Sequence, residues 1–155
     1  MKKNIINSIL TRTQVGLLKQ LLGVYKTVLN NKVSIPSDSD LQTLLRKKDI
    51  LFVVALDGDT VVGGLTAHLL PSVFADAKSF YIRDIAVKQK YQRQGVGSQI
   101  IKTLIYECRA FRHKDIYVQT ELSNKIAIKF FKSNRATLTA GFHFTYDDVI
   151  KVPRL

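Results

Sequence analysis

Apolar positions change their spacing several times along this chain, and each change marks the edge of an element. Residues 4–11 alternate weakly and read as a short first strand. From Val15 onward Leu18, Leu21, Leu22, Tyr25, Val28 and Leu29 recur with a period of about 3.6 residues, which predicts an amphipathic helix with Thr13 placed to cap it. Pro36-Ser37-Asp38-Ser39-Asp40 then sets short polar acceptors in front of Leu41, Leu44 and Leu45. Ser37 and Asp40 have the spacing of a capping box, so a second, shorter helix follows. Residues 50–56 are an unbroken apolar run, Asp57-Gly58-Asp59 is compatible with a type I′ turn, and residues 60–70 return as the partner strand of a hairpin. Gly63-Gly64 inside that second strand marks a bulge or a close backbone approach.

The second half is more regular. Residues 71–78 read as a loop, 79–87 as a β-rich strand, and 88–97 as a polar loop that opens a helix with Ile100, Ile101, Leu104, Ile105 and Cys108 on one stripe. Residues 115–120 give another strand. Residues 124–133 give another helix, with Ile126, Ala127, Phe130 and Phe131 expected inward, and a last strand is expected around residues 142–146. With no fixed-period repeat, low-complexity tract or linker, the pattern predicts one domain over residues 1–155, of α/β or α+β class, in which a hairpin precedes two strand–helix units.

Composition narrows the class. A chain of 155 residues, 46% hydrophobic and 23% charged with three Pro, is large enough for a core without disulfides and is neither collagen-like nor disordered. The single cysteine, Cys108, lies on a helical stripe beside Ile105 and Tyr106 and reads as packed rather than reactive, consistent with a reducing, cytoplasmic location. Asn4, Asn7, Ser8 and Thr11 interrupt any signal-peptide core, and no apolar run approaches the ~18 residues of a membrane span. His68, His113 and His143 have no partner at metal-ligand spacing, so no metal is expected and a structural or surface role is the reading for each. Cys108 has no evident base, and a hydrolase would need a Gly-x-Ser-x-Gly turn that the chain lacks.

Charge changes the picture most. With 24 Lys and Arg against 12 Asp and Glu, the net charge is +12, which favours an anionic partner: DNA, RNA, anionic lipid or a phosphorylated cofactor, unless the basic face is simply solvated. Base-stacking aromatics in a known nucleic-acid module are missing, so no nucleic acid is expected. Arg109, Arg112, His113 and Lys114 cluster at a helix end, where the macrodipole accounts for them. The loop Lys88 to Gly97 is more specific. Unpaired backbone N–H groups at a helix start attract anions, and Gly95 and Gly97 leave room for a ligand's oxygens to reach them, with Lys88, Lys90 and Arg93 adding charge. A pyrophosphate is the natural ligand class, although a tight strand-to-helix turn also uses glycine for geometry alone. Ile100 stands where a dinucleotide fold needs a third Gly or Ala, and no Gly-Lys-Ser or Gly-Lys-Thr follows, which excludes both familiar nucleotide motifs.

Gln92-Arg93-Gln94-Gly95-Val96-Gly97, directly after Ile85-Ala86-Val87, resembles the acyl-coenzyme A loop of the GNAT N-acetyltransferases. From about Pro36 to Asp148 the chain further resembles the class I aminoglycoside 3-N-acetyltransferases, through Pro36-Ser37-Asp38-Ser39-Asp40-Leu41, Val61-Val62-Gly63-Gly64-Leu65, Leu69-Leu70-Pro71, Tyr81-Ile82-Arg83-Asp84-Ile85-Ala86-Val87, Arg93-Gln94-Gly95 and Tyr117-Val118-Gln119. The resemblance implies a mixed, mostly antiparallel sheet flanked by helices, with splayed central strands and acetyl-CoA (coenzyme A) in the opening. It implies that the backbone of Gln92, Arg93, Gln94, Gly95, Val96, Gly97 and Ser98 holds the pyrophosphate. Ile85, Ala86 and Val87 pair with the pantetheine arm, and Asn124 hydrogen-bonds it. Asp84 is placed to orient or deprotonate an acceptor amine, an ammonium having no lone pair with which to attack a thioester. Its alternative is a structural carboxylate paired with Arg83. Glu121, Asp147 and Asp148 are further acceptor-side carboxylates, or solvated strand ends.

The chain also departs from the family. Phe131 stands where many members have a tyrosine that protonates the leaving thiolate. Asn124 and Lys125 replace paired aspartates, and Lys125 would repel a cationic drug. Asn134-Arg135 replaces leucine-glycine at a helix end, where Asn tolerates a left-handed cap. The implied activity is transfer of an acetyl group from acetyl-CoA to a primary amine by direct attack in a ternary complex, the 3-amino group of aminoglycosides first. A polyamine, a metabolite or a peptide amine are alternatives, as are a non-catalytic acyl-CoA-binding module and a basic nucleic-acid binder. A small-molecule amine is the expected partner, with no membrane association and a possible homodimer.

Overall fold

Five strands form one sheet in the order β1-β2-β3-β4-β5: β1 (Ile5–Ile9), β2 (Ile50–Asp57), β3 (Thr60–Pro71), β4 (Lys78–Val87) and β5 (Asp115–Val118). Neighbours are antiparallel except β4 and β5, which run parallel. The helices are α1 (Val15–Val28), α2 (Asp38–Arg46), α3 (Val96–Ala110) and α4 (Lys125–Ser133). This computed structural model describes residues 4–30, 32, 34–73 and 78–145. The chain divides into two compact units, Met1–Thr120 with the sheet and α1–α3, and Glu121–Leu155 with α4. The mixed, mostly antiparallel sheet flanked by helices is the fold class the sequence implied. Among the described residues no helix is long and apolar enough to cross a membrane.

The unbroken apolar run of β2 is explained by cover on both faces. Val53, Val54 and Ala55 are all inaccessible to solvent. On one face Phe52, Val54, Val61 and Ala86 pack with Leu18, Leu21, Val24 and Tyr25 of α1 and Leu41 and Leu45 of α2. Alternation along the strands sends Val53, Leu65, Ile82 and Phe80 to the other face, which α3 covers with the buried Ile100, Ile101, Leu104 and Cys108 stripe.

Local chemistry fits most boundaries and corrects some. Ser37 caps α2 by accepting the Asp40 N–H at 3.3 Å, and its hydroxyl donates to the Asp40 carboxylate at 2.6 Å. Thr13 does not cap α1: its hydroxyl bonds that of Thr11 at 3.4 Å, and Gln14 occupies the cap position while its Oε1 accepts the Thr11 N–H at 2.8 Å. The hairpin turn has Gly58 at φ +59° while Asp59 is not left-handed, the type II′ pattern rather than I′, which spares Asp59 a strained backbone. The β2–β3 bulge falls at Val62, beside the glycine pair, since Ala55 faces Gly63 and Leu56 faces Val61. Close approach explains the glycines themselves. A Cβ on Gly64 would stand 2.3 Å from the Val53 carbonyl oxygen and 2.6 Å from Leu21 Cδ1, and one on Gly63 would stand 2.8 Å from the Ala86 carbonyl oxygen.

In the second unit Ile126 is 79% exposed rather than inward. Ala127, Ile128, Phe130, Phe131 and Asn134 are the half-buried positions, and the exposed Ile126 lies beside them in the first turn. The last strand expected near residues 142–146 is not present over 142–145, and Tyr146 lies outside the described residues. Phe142 and Phe144 alternate as a strand would, but they are 94% and 85% exposed and no ladder of the sheet includes them.

Two glycine substitutions should separate packing from backbone entropy. Gly64→Ala should lower stability by about 1–3 kcal/mol through overpacking against β2. Gly23→Ala, in mid-α1 with nothing within 4 Å of the added carbon, should raise it by about 0.5–1 kcal/mol. Urea denaturation of both variants measures the contrast.

Candidate active site

The parallel pairing of β4 with β5 runs from Ser79 with Asp115 to Ile82 with Val118 and stops there. Beyond Ile82, β4 continues to Val87 with only β3 beside it, so its other edge, from Arg83 to Val87, lacks a strand neighbour among the described residues. The β3–β4 register also shifts at this point: Ala67 faces Ile82 and Thr66 faces Asp84, leaving Arg83 as an extra, bulged residue.

Asp84 is half-buried and lines an open pocket of about 290 Å³ together with Tyr25, Lys26, Phe52, Thr66 and His68. Burial pushes its carboxyl above the usual carboxylate range, with the charges of Arg83 and His68 opposing the rise. Tyr25 and Thr66 satisfy each other through a buried hydroxyl pair at 3.0 Å. Burial, and secondarily the Asp84 charge, push the Tyr25 hydroxyl far up, so it stays protonated. Sequence reasoning missed these neighbours, and it read His68 as structural or surface. Spacing offers no signal for them, since only the cross-strand register after the bulge brings them together.

At the end of β4 the chain turns into α3 through a braced loop. The Lys88 N–H bonds the Val62 carbonyl at 2.8 Å, and a short 3-10 helix, Gln89–Tyr91, follows. The Tyr91 hydroxyl donates to the Asp57 carboxylate at 2.7 Å, the Gln92 amide to the Val87 carbonyl at 2.8 Å, and the Gln94 amide to the Lys90 carbonyl at 2.8 Å. Arg93 at φ 59° and Gly95 at φ 81° curl the backbone before α3. Gly95 is the N-cap, so it carries no capping side-chain bond, and no acid stands in the first turn. Val96, Gly97 and Ser98 open α3, and the first-turn N–H groups of a helix have no partner within it. A Cβ on Gly95 would meet nothing within 4 Å, so its left-handed backbone, not crowding, accounts for the glycine. An uncapped helix start, basic neighbours and open space fit a diphosphate.

The other candidates lie in the second unit. Glu121 is exposed, its carbonyl accepting the Asn124 N–H at 2.9 Å. Asn124 caps α4, its side-chain oxygen accepting the Ala127 N–H at 3.0 Å. Phe131 packs edge-on against Phe130 with ring centres 5.1 Å apart. Asp147 and Asp148 lie outside the described residues. Cys108 is buried on α3 and its thiol is pushed up to about 11, mainly by burial, in keeping with an inert packed residue.

Residues 18–135 match the model of the Acetyltransferase (GNAT) family, and the chain belongs to that family. Its members use acetyl-CoA. A solved aminoglycoside acetyltransferase from an uncultured soil metagenomic sample superposes with a TM-score of 0.90 in its trehalose complex, at 27% identity over 94% of this chain and 97% of that one. Its complex with sisomicin gives 0.88, at 28% identity over 92% and 95%. Among curated proteins, N-alpha-acetyltransferase 30 of Xenopus laevis is 30% identical over 86 residues, which is 54% of this chain and 30% of that protein. The chain thus spans less than a third of the length of the curated relatives it matches.

The raised Asp84 carboxyl has a consequence for stability. Protonated in both states at acid pH, it costs nothing there; as pH rises through its elevated folded value, ionisation costs more in the fold than in the unfolded chain, and stability is lost. Asp84→Asn should therefore be more stable than the parent near pH ~7, with the gap shrinking toward pH ~4. Urea midpoints across that range test this, and a gap that stays constant with pH would contradict it.

Proposed function

We propose that this acetyltransferase moves the acetyl group of acetyl-CoA to a primary amine of an aminoglycoside, the 3-amino group first, by direct attack in a ternary complex. The observation that carries the reading is Asp84, a half-buried carboxylate with a raised pKa set by a bulge where β4 loses its neighbour. Likeness to a sisomicin-bound acetyltransferase over 92% of this chain supports the acceptor class. Bound acetyl-CoA supplies the activated acyl group.

In this reading the N–H groups of Val96, Gly97 and Ser98, with Arg93 and the backbone of Gln92, Gln94 and Gly95, hold the diphosphate. The open edge at Ile85, Ala86 and Val87 pairs with the pantetheine arm, as an added strand pairs with any free sheet edge. Asn124 donates to the same arm. Asp84 orients the acceptor ammonium and takes its proton; a carboxylate with a raised pKa is a better base at neutral pH. Glu121, Asp147 and Asp148 are assigned to the acceptor's other ammonium groups, as the family resemblance implies. Phe131 has no proton to give, so the coenzyme A thiolate leaves unassisted and takes its proton from water.

A second reading, acetylation of a peptide α-amine, is favoured by the 86-residue match to an N-alpha-acetyltransferase at 30% identity. Thiol release from acetyl-CoA with gentamicin, kanamycin, spermidine and a short peptide as separate acceptors decides between them. Turnover with gentamicin and a 3-N-acetyl product is expected. Peptide-only turnover would move the assignment to the second reading, and no turnover with any acceptor would overturn both.

Two substitutions test the assigned roles. Asp84→Asn should lower kcat/KM about 100-fold or more while acetyl-CoA still binds. Gly97→Glu should abolish acetyl-CoA binding in calorimetry by filling and negatively charging the helix start; retained tight binding would remove the loop from the cofactor site.

A further inference from the structure

The pocket beside Asp84 is built mainly of hydrocarbon. Leu22, Ile35, Leu44, Ile50 and Phe52 line it, from α1, the segment before α2, α2 itself and β2. Leu22, Ile35, Leu44 and Ile50 pack against the core yet stay only partly buried. A concave site that leaves hydrophobic side chains incompletely covered is the usual form of a small-ligand pocket, and covering them is favourable in proportion to the apolar area removed from water.

Polar groups enter its wall from Tyr25, Lys26, Ser34, Thr66, His68 and Asp84. The Tyr25 and Thr66 hydroxyls bond each other at 3.0 Å. Asp84 is the acid among the lining residues, and Lys26 and His68 add positive or neutral groups. One carboxylate complements one ammonium. A second ammonium in the same hollow would meet Lys26 instead of an acid. The volume, about 290 Å³, lies at the lower bound for pockets that enclose a whole drug-sized ligand, so this one takes one end of an acceptor.

We propose that the pocket is an apolar subsite for the hydrocarbon body that carries the reacting amine, so that the acceptor is chosen by one ammonium at Asp84 and by the apolar surface next to it. This rests on acetyl transfer to a primary amine at Asp84 and goes beyond it by defining the acceptor's chemistry: a single ring face or aliphatic group joined to the amine, not an extended polyamine chain. Any further ammonium groups of the acceptor lie outside this hollow.

Propylamine, butylamine, pentylamine and hexylamine carry the same charge and differ only in apolar length. Their dissociation constants for the full chain, read by NMR titration at fixed pH and salt, should fall about fourfold per added methylene until the pocket is full. Ile35→Trp, which places an indole in the pocket, should flatten the series while leaving acetyl-CoA affinity unchanged; Leu44→Phe serves the same purpose if Ile35→Trp does not fold. Constants independent of chain length, a series equally steep in the filled variant, or spermidine binding more tightly than hexylamine would each overturn the proposal. The readout is binding, so a graded series in a chain that acetylates none of gentamicin, kanamycin, spermidine and a short peptide would defeat the transfer reading and leave the subsite standing. Acetylation with a flat series would do the reverse.

Discussion

The chemistry of this chain depends on one irregularity, the extra residue in β4 at Arg83. Below it Ala67 faces Ile82; above it Thr66 faces Asp84. Had the lower register continued, Arg83 would face Thr66 and Asp84 would face Leu65, which is inaccessible to solvent on the α3 side. Side-chain direction in a strand has period two, so a shift of one residue exchanges faces. The bulge therefore puts a carboxylate in the pocket where a guanidinium would otherwise stand, and it keeps that carboxylate out of an apolar layer. It also sits where β5 leaves β4, so the proposed base and the open edge arise at one place.

Everything downstream on β4 is held in relation to that point. Its end is tied to the neighbouring bulge by the Lys88 N–H on the Val62 carbonyl, and to the hairpin by the Tyr91 hydroxyl on Asp57. The loop closes on its own strand through Gln92 and Val87. These bonds fix the start of α3 against the sheet, so the proposed anion site and the carboxylate share one rigid element, the condition for holding two reactants in line. The glycine pair in β3 belongs to the same arrangement. Gly63 lets the Ala86 carbonyl approach, and Gly64 lets β2 and Leu21 approach, drawing α1 close enough for Tyr25 to reach Thr66 beside Asp84.

Features set by local chemistry were legible in the sequence: the hairpin around Gly58, the Ser37 cap, the α3 stripe, and the glycine turn that opens α3. The family resemblance was legible because it rests on contiguous residues of that same loop. Features set by register were not. Nothing in Tyr81-Ile82-Arg83-Asp84 announces which residue will be looped out, so the side chains gathered around Asp84 could not be assembled from spacing. The face of α4 was misjudged at Ile126 because an apolar residue in a first turn fits more than one stripe. Phe142 and Phe144 show the complementary failure, since alternation describes a surface that suits a ladder and supplies no partner for it.

The net charge of +12 and the proposed cationic acceptor act over different distances. Among the described residues the only ion pair joins Lys19 and Asp38 at 2.8 Å, so most of the positive charge faces solvent. Physiological salt screens such charge beyond about 8 Å. What an acceptor would meet in the pocket, under the proposed function, is then set by Asp84 and the walls around it rather than by the protein's total. The diphosphate of acetyl-CoA, by contrast, would lie directly at Arg93, Lys88, Lys90 and the positive end of α3, where charges act at contact. A basic chain whose pocket is lined by one carboxylate thus suits an anionic donor held by charge and an amine whose reacting end is held by that carboxylate and by shape.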